Sequence, residues 1–406
     1  MLNTIDLFVG CGGLSEGFEQ SQKYKMLGAV EWESAPVKAL RNHLKNKWKM
    51  SDSDKRVLQF DIQRTDELFE GWDDEKFGIS SGLDSLIGSE GLDVIIGGPP
   101  CQAYSLAGRI RDEHGMREDY RNYLFESYLK VVERYKPKAF IFENVPGILS
   151  AKPGDGTIKI IDLIQKAFSD SGYVVLDNLK DALIDMTDYG VPQNRKRIII
   201  LGLSKEYYGE RAQELVKSFY TSYLPEHKVE RKATVRDAIG DLPKLRPLDE
   251  VISYEGRKLS HALPSSIING HISRFHSKRD IELFKLLEED IASGTMKYTS
   301  TGSLKELYTK ITGKTSNVHK YYVLRWDEPS NLIPAHLFKD GLRHIHPDPE
   351  QARTITVREA ARLQTFPDDY QFNCSQTDAF KMIGNAVPPL FAKKVAYALY
   401  HLIKEN

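Results

Sequence analysis

Gly97-Gly98-Pro99-Pro100-Cys101-Gln102 follows the apolar run 92–96 and presents one cysteine where a strand ends. Pro99 and Pro100 fix φ and lack an N–H donor, so the turn continues neither a ladder nor a helix and is stiff enough to aim a thiolate. A lone cysteine more often packs as a small hydrophobe. Cys101, however, stands beyond the carboxyl end of a strand, where ligands of open α/β sheets bind. Glu143-Asn144-Val145-Pro146-Gly147 puts a carboxyl group at the end of a second apolar run, 138–142. A nucleophile and an acid therefore leave neighbouring strand tips. In Gln193-Asn194-Arg195-Lys196-Arg197, alternation before the strand at 198–201 puts Arg195 and Arg197 on one face. They either converge on one anion or form a solvated charge run.

A second group of residues suits a bound ligand. Asp6-Leu7-Phe8-Val9-Gly10-Cys11-Gly12-Gly13 closes the first strand and opens a helix. Glycines there let a ligand approach converging N–H groups, although a tight strand-to-helix turn would need the same residues. Glu31 ends the second strand, where a carboxylate can accept from both hydroxyls of a ribose. Trp32 offers a flat apolar face, and Asp61, followed by Ile62, an acceptor for an amino group. Together they suggest an adenosine pocket; separately each is an ordinary surface residue.

The elements that must position these groups read as a doubly wound α/β domain. Short apolar strands are expected at 5–9, 26–31, 57–60, 92–96, 139–142, 174–179 and 197–203, and helices at 14–20, 34–45, 123–135 and 158–170. The third helix carries Leu124, Tyr128, Val131 and Val132 on one stripe, and the helices should cover both faces of the sheet. Beyond Ser204 the chain turns irregular and basic-aromatic, with only 280–291 clearly helical. A terminal helix pattern resumes through Phe391, Val395 and Leu399. The acidic stretch 71–91 is expected to be a surface insertion without function.

With 406 residues and 41% apolar content the chain favours two or more domains. Its three cysteines, Cys11, Cys101 and Cys374, form no Cys-x-x-Cys pair and would leave one odd in any disulfide scheme, so a reducing compartment fits best. No metal site is expected. No apolar run approaches the ~18 residues that span a bilayer, and the cytoplasm, or the nucleoid of a bacterium, is the expected location. A formal net charge of −1 gives no global attraction to nucleic acid, so such binding would depend on local basic faces.

Six segments in this order resemble the DNA (cytosine-5) methyltransferases of the bacterial type. Residues 6–13 resemble the methyl-donor loop, Pro99-Pro100-Cys101-Gln102 the nucleophile motif, Glu143-Asn144-Val145 the acid motif and Gln193–Arg197 the arginine motif. Arg353-Thr354-Ile355-Thr356-Val357-Arg358-Glu359-Ala360-Ala361-Arg362-Leu363-Gln364 resembles the segment that organises the recognition domain, and Ile383-Gly384-Asn385-Ala386-Val387-Pro388-Pro389 the last motif, which returns to the cofactor site. The resemblance implies a Rossmann-like, S-adenosyl-L-methionine-dependent methyltransferase fold: a mixed, mostly parallel sheet with helices on both faces, plus a smaller irregular target recognition domain. It implies Cys101, Glu143, Arg195 and Arg197 as catalytic residues. It places the methyl donor across Phe8, Gly10, Gly12, Glu31, Trp32, Asp61, Ile62, Pro99, Leu124 and Asn385. Gln102, Ser105, Arg109 and Arg274 would contact DNA, with 103–122 as a loop that closes on it.

The implied domains are a catalytic and cofactor-binding domain over 1–204, a target recognition domain over 205–350, a hinge supporting it over 351–377, and a C-terminal helix over 378–406 that completes the catalytic domain. The implied partner is double-stranded DNA, read by a monomer that flips its cytosine out of the helix, with a cognate restriction endonuclease acting at the same site. Two other readings are open: a tRNA cytosine-5 methyltransferase of the same fold, against which the large variable region argues, and a catalytically silent DNA-binding protein.

Overall fold

The structure, a computed structural model, describes residues 1–100, 124–152, 158–266, 268–317 and 321–406. Cys101, Gln102, Ser105, Arg109 and the rest of the expected loop at 103–122 lie outside the described residues.

The contacts of the chain divide it into two units, one formed by 1–190, 195–230 and 386–406, the other by 191–194 and 231–385. The first unit is built on an eight-stranded sheet. Its strands are β1 (Leu2–Leu7), β2 (Tyr24–Glu31), β3 (Val57–Gln59), β4 (Val94–Gly97), β5 (Ala139–Asn144), β6 (Tyr173–Val174), β7 (Leu183–Asp185) and β8 (Lys196–Ser204). They run in the order β3-β2-β1-β4-β5-β8-β6, with β7 also paired to β8. The five strands from β3 to β5 are mutually parallel, and β8 is antiparallel to β5, β6 and β7. All six residues of β5 and all four of β4 are buried. A strand buried on both faces needs cover on both, which is why these runs read as continuous apolar sequence rather than as alternation. The arrangement is a Rossmann-like α/β fold.

The principal helices of this unit are α1 (Gly13–Ser21), α2 (Ser34–Asn46), α3 (Leu124–Tyr135) and α4 (Ile160–Asp170). The expected stripe on α3 is buried: Leu124, Tyr128, Val131 and Val132 all face the interior, and the Tyr128 hydroxyl donates to the carbonyl of Ile141 in β5 at 3.0 Å. The strand expected over 174–179 is shorter, ending at Val174. Val175 and Leu176 stay buried, but Gln165 donates to the carbonyls of Leu176 and Asp177, and Asn178 accepts from Lys180 N to start a 3-10 turn over Leu179–Ala182. Those bonds draw the backbone off the ladder. The first unit also extends past the expected boundary at 204, because Ala212–Ser218 buries Ala212, Leu215 and Val216 and the Tyr220 hydroxyl donates to Ile199 O in β8 at 2.7 Å.

The second unit contains α5 (Lys278–Ala292), α6 (Thr301–Thr312), α7 (Val357–Leu363) and α8 (Gln376–Asn385), with a hairpin of Pro247–Tyr254 against Arg257–His261. Leu283, Phe284, Leu287, Leu304, Leu307, Val323 and Ile345 form its core. The segment 353–364 builds this unit's interior. Arg353 donates to both carboxylate oxygens of Glu359, at 2.6 and 2.7 Å, and Thr356 with Glu359 closes a capping box at the start of α7. Arg358 donates to Asn269 O, Pro367 O and Tyr370 O. Final in the chain, α9 (Pro389–Glu405) belongs to the first unit.

Candidate active site

Strand order places the site. The chain winds outward from β1 through β2 to β3 and then returns to lay β4 on the other side of β1. Such a reversal opens a crevice beyond the carboxyl ends of the strands. Register pairs Leu7 with both Val30 and Gly97, Glu31 with Gln59, and Gly97 with Phe142. Phe8, Glu31, Phe60, Gly98 and Glu143 therefore leave adjacent tips along one edge. The antiparallel β8 brings its beginning to that same edge, since Ile198 pairs with Asn144 and Ile199 with Glu143.

The acid lies where these strands meet. Arg197 Nε is 2.9 Å from Glu143 Oε1, and Glu143, Arg195 and Arg197 are 9%, 1% and 8% exposed. Burial pushes the Glu143 carboxyl above its ordinary range, with the Arg197 and then the Arg195 guanidinium pulling it back. Arg197 thus pairs with the carboxylate directly, and Arg195 acts on it through its charge. Burial also disfavours the Arg195 charge, as does the like charge of Arg197, while Glu143 favours it. Arg195 Nη2 donates to Ala386 O at 2.8 Å, tying down the chain where it re-enters this unit.

Gly98 is part of this geometry. A Cβ there would lie 2.6 Å from Glu143 Oε2, so only glycine lets the carboxylate lie against the turn that leads to Cys101. Asn144 Nδ2 donates to Pro99 O at 3.4 Å, and Asn144 Oδ1 accepts from Val145 N at 2.8 Å, linking the acid's strand to the proline turn. Neither Gly98 nor Asn144 has a type or spacing that singles it out before Glu143 is placed.

On the other side of β1, Phe8, Gly10 and Gly12 have φ of 58°, 56° and 80°. Two glycines adopt such values freely, whereas Phe8 does so under strain, as residues at ligand sites often do. A Cβ on Gly10 would meet nothing within 4 Å, while one on Gly12 would strike Leu40 Cδ1 at 2.5 Å. The loop thus presents open ground outward at Gly10 and packs tightly inward at Gly12. Gly10 N donates to Glu31 Oε2 and Glu33 N to Glu31 Oε1, each at 2.8 Å, and burial raises the Glu31 carboxyl. Each carboxylate oxygen has a second lone pair to offer a hydroxyl. Trp32 is 48% exposed, and Ile62, Pro99 and Leu124 are buried. Asp61 Oδ1 accepts from Gln63 N at 3.0 Å. This set of donors, acceptors and flat apolar surface fits an adenosine-bearing ligand.

Several buried groups support the loop without an obvious signal in sequence. Ser15 donates to Asp6 Oδ2 at 2.6 Å, and burial pushes the Asp6 carboxyl up to about 7. Behind α1, Glu16 Oε2 lies 2.7 Å from His43 Nε2 and accepts from Trp48 Nε1 at 2.8 Å, clamping α1 to α2.

One of the expected residues turns away from the surface, and another closes a helix of the second unit. Arg274, expected at DNA, turns inward within the second unit: it donates to Leu337 O and Phe338 O, and its guanidinium lies 4.8 Å from the centroid of the Phe380 ring. Burial lowers its pKa to about 10. It fixes backbone instead of presenting a free charge. Asn385, expected at the donor, is exposed at the end of α8 in the second unit.

The profile of the family described as C-5 cytosine-specific DNA methylase matches residues 2–401. The type II methyltransferase M.Bpa9945I of Bacillus paralicheniformis is 35% identical, across 98% of this chain and 98% of its own length. The type II methyltransferase M.AgeI of Thalassovita gelatinovora is 29% identical across 97% and 98%. Among solved structures, one described as a candidate DNA modification methyltransferase of an E. coli prophage superposes with a TM-score of 0.64 at 25% identity, covering all of both chains. The Dnmt2 methyltransferase of S. pombe matches at 0.56 and 14% identity over 100% of this chain and 99% of that one, a likeness of fold alone.

Proposed function

Because the chain belongs to the C-5 cytosine-specific DNA methylases, we propose that it methylates cytosine within a specific duplex sequence through a covalent adduct on Cys101, as the modification partner of a restriction endonuclease in a bacterial cytoplasm. The observation that supports this most directly is Glu143, buried with a raised pKa, paired with Arg197 and held against Gly98 beside the turn that leads to Cys101.

Cytosine C5 is a weak nucleophile. Addition of the Cys101 thiolate to C6 forms an Sγ–C6 bond and turns C5 into an enamine carbon, replacing one hard step by two easier ones. Glu143, whose pKa burial raises, donates in its protonated form to N3 and accepts from the exocyclic amine, which selects cytosine and offsets developing charge. Arg197 orients Glu143 and reaches the base O2; Arg195 anchors the chain behind both. S-adenosyl-L-methionine, when bound, would supply an electrophilic methyl group to that enamine carbon and would leave as S-adenosyl-L-homocysteine. The Gly10 and Gly12 loop, Glu31, Trp32, Asp61 and Ile62 hold its adenosine, with Phe8, Pro99 and Leu124 lining the remainder. The C5 proton then leaves to a base, the Sγ–C6 bond breaks and Cys101 is regenerated. Because a duplex buries C6, the base must be flipped out, at a cost of a few kcal/mol. Gln102, Ser105 and Arg109 are the residues of the following loop assigned to DNA.

Base-resolution mapping of 5-methylcytosine in plasmid DNA from cells expressing the wild type or Cys101→Ala tests the whole reading. Methylation of one short motif, lost in the variant, is expected. Absence of 5-methylcytosine with the wild type, or its persistence with the variant, overturns it.

A further inference from the structure

The stretch 71–91, expected to be an idle surface insertion, packs against the adenosine side of the site. Trp72–Asp74 and Gly78–Ser80 form a two-stranded antiparallel ribbon. A ribbon of two strands is marginal on its own, and this one is anchored by aromatic contacts. Trp72 stacks on Phe60, with centroids 3.8 Å apart and planes at 20°. Phe77 meets Phe60 edge-on at 5.3 Å and Trp32 edge-on at 5.7 Å. Lys76 Nζ lies 4.1 Å from the centroid of the Trp32 ring.

The turn that aims Lys76 and Phe77 is fixed in turn. Asp74 Oδ1 accepts from Lys76 N at 2.8 Å and from Phe77 N at 3.0 Å. Its Oδ2 accepts from Arg64 Nη1 at 2.6 Å, and the Arg64 guanidinium lies 4.8 Å from the Phe60 centroid. At the ribbon's ends the backbones close on each other: a Cβ on Gly71 would lie 2.6 Å from Ser80 O, and one on Gly82 2.3 Å from Phe69 O. The aromatic anchors land on, or immediately beside, residues assigned to the adenosine. Phe60 directly precedes Asp61 and Ile62, and Trp32 is contacted itself.

The geometry points to this ribbon as a wall of the methyl-donor site, with Phe77 and Lys76 as positioning residues that hold the half-exposed Trp32 ring in the orientation the adenosine requires. The inference rests on the donor assignment above and deepens it. An indole with one side open would otherwise sample several rotamers, and ordering it on binding would weaken the complex. The ribbon holds it in place beforehand. Lys76 and Phe77 touch neither the reacting carbon nor the base, so they should affect donor binding and not the chemical step.

The test is calorimetric binding of S-adenosyl-L-homocysteine to the full chain, alongside KM for S-adenosyl-L-methionine and kcat. Phe77→Ala should raise both Kd and KM roughly three- to tenfold, the range for loss of an aromatic pair, with kcat at saturating donor within twofold of wild type. Phe77→Tyr should bind like the wild type. Lys76→Ala, at an exposed position that does not threaten folding, should raise Kd about two- to fivefold. Ile79→Ser, on the same ribbon at 82% exposure, should change nothing. Unaltered Kd in both Phe77→Ala and Lys76→Ala overturns the inference; if Phe77→Ala does not fold, unaltered Kd in Lys76→Ala does so alone. A fall in kcat without a change in Kd also overturns it. Failure of the wild type to bind the probe at all instead overturns the donor assignment.

Discussion

Replacing Gly98 with alanine adds one methyl group and should disable the reaction without unfolding the protein. The new Cβ would start 2.6 Å from Glu143 Oε2, while its next contacts, Glu143 O and Cβ, lie at 3.5 and 3.6 Å. Only the carboxylate has to move, by roughly 0.5–1 Å to reach ordinary van der Waals separation. It cannot swing freely, because Arg197 Nε holds Oε1 at 2.9 Å and both side chains are buried. A displacement of about 1 Å in a catalytic group costs on the order of 10²-fold in rate. The strain on stability is smaller, about 1–3 kcal/mol for a small overpacking. Gly98→Ala should therefore lose about a hundredfold in single-turnover methylation of a cognate duplex while its melting transition falls by a few degrees and its affinity for S-adenosyl-L-homocysteine is kept. Wild-type turnover in the folded variant would refute the reasoning, since it would mean that the position of the Glu143 carboxylate relative to the proline turn does not matter.

Other expectations follow from the charges. If reaction needs the protonated Glu143, rate falls as pH rises through its raised pKa; Arg197→Leu removes the cation that lowers that pKa, so the alkaline limb of the pH–rate profile should move to higher pH, and a shift to lower pH would contradict the assignment. Glu31→Ala removes the acceptor of Gly10 N as well as the ribose acceptor, and should weaken S-adenosyl-L-homocysteine by at least tenfold in calorimetry. In the second unit, burial lowers His261 to about 4 and His276 and His346 to about 3. A depressed folded pKa gives stability that is present above the unfolded value near 6.5 and lost as pH falls below it, so each histidine should cost about 2 kcal/mol by pH 5. Urea unfolding at pH 7 and pH 5 measures this; equal midpoints would show these side chains to be solvated.

The catalytic side of the site was legible because its signals are local. Apolar runs mark β4 and β5, a proline pair marks the turn, and alternation places Arg195 and Arg197 together. What escaped depends on tertiary contact. Val174-Val175-Leu176 reads as continuing strand, yet the side chain of Gln165 takes carbonyls that a ladder would need. Arg274 sits in a basic-aromatic stretch that suggests a nucleic-acid face, and nothing nearby in sequence reveals that the carbonyls of Leu337 and Phe338 claim it. The ribbon at 72–80 looks polar because its acidic residues outnumber Trp72 and Phe77, whose destination on Phe60 and Trp32 is set only by the folded chain.

The packing of α9 on α1 bears on how the chain comes to fold at all. Tyr24, which opens β2, donates through its hydroxyl to Ala396 O at 2.9 Å, and a Cβ on Gly17 would lie 2.4 Å from Ala392 Cβ and 2.5 Å from Pro389 O. The helix that begins at the glycine loop is thus buried by residues that follow the long segment 231–385 of the other unit. The loop that runs from Gly17 and Tyr24 to Ala392 and Ala396 must close before these contacts form, which makes this a high-contact-order interface and a late event in folding. The glycine loop that opens α1 therefore gains its backing only once α9 has docked on that helix.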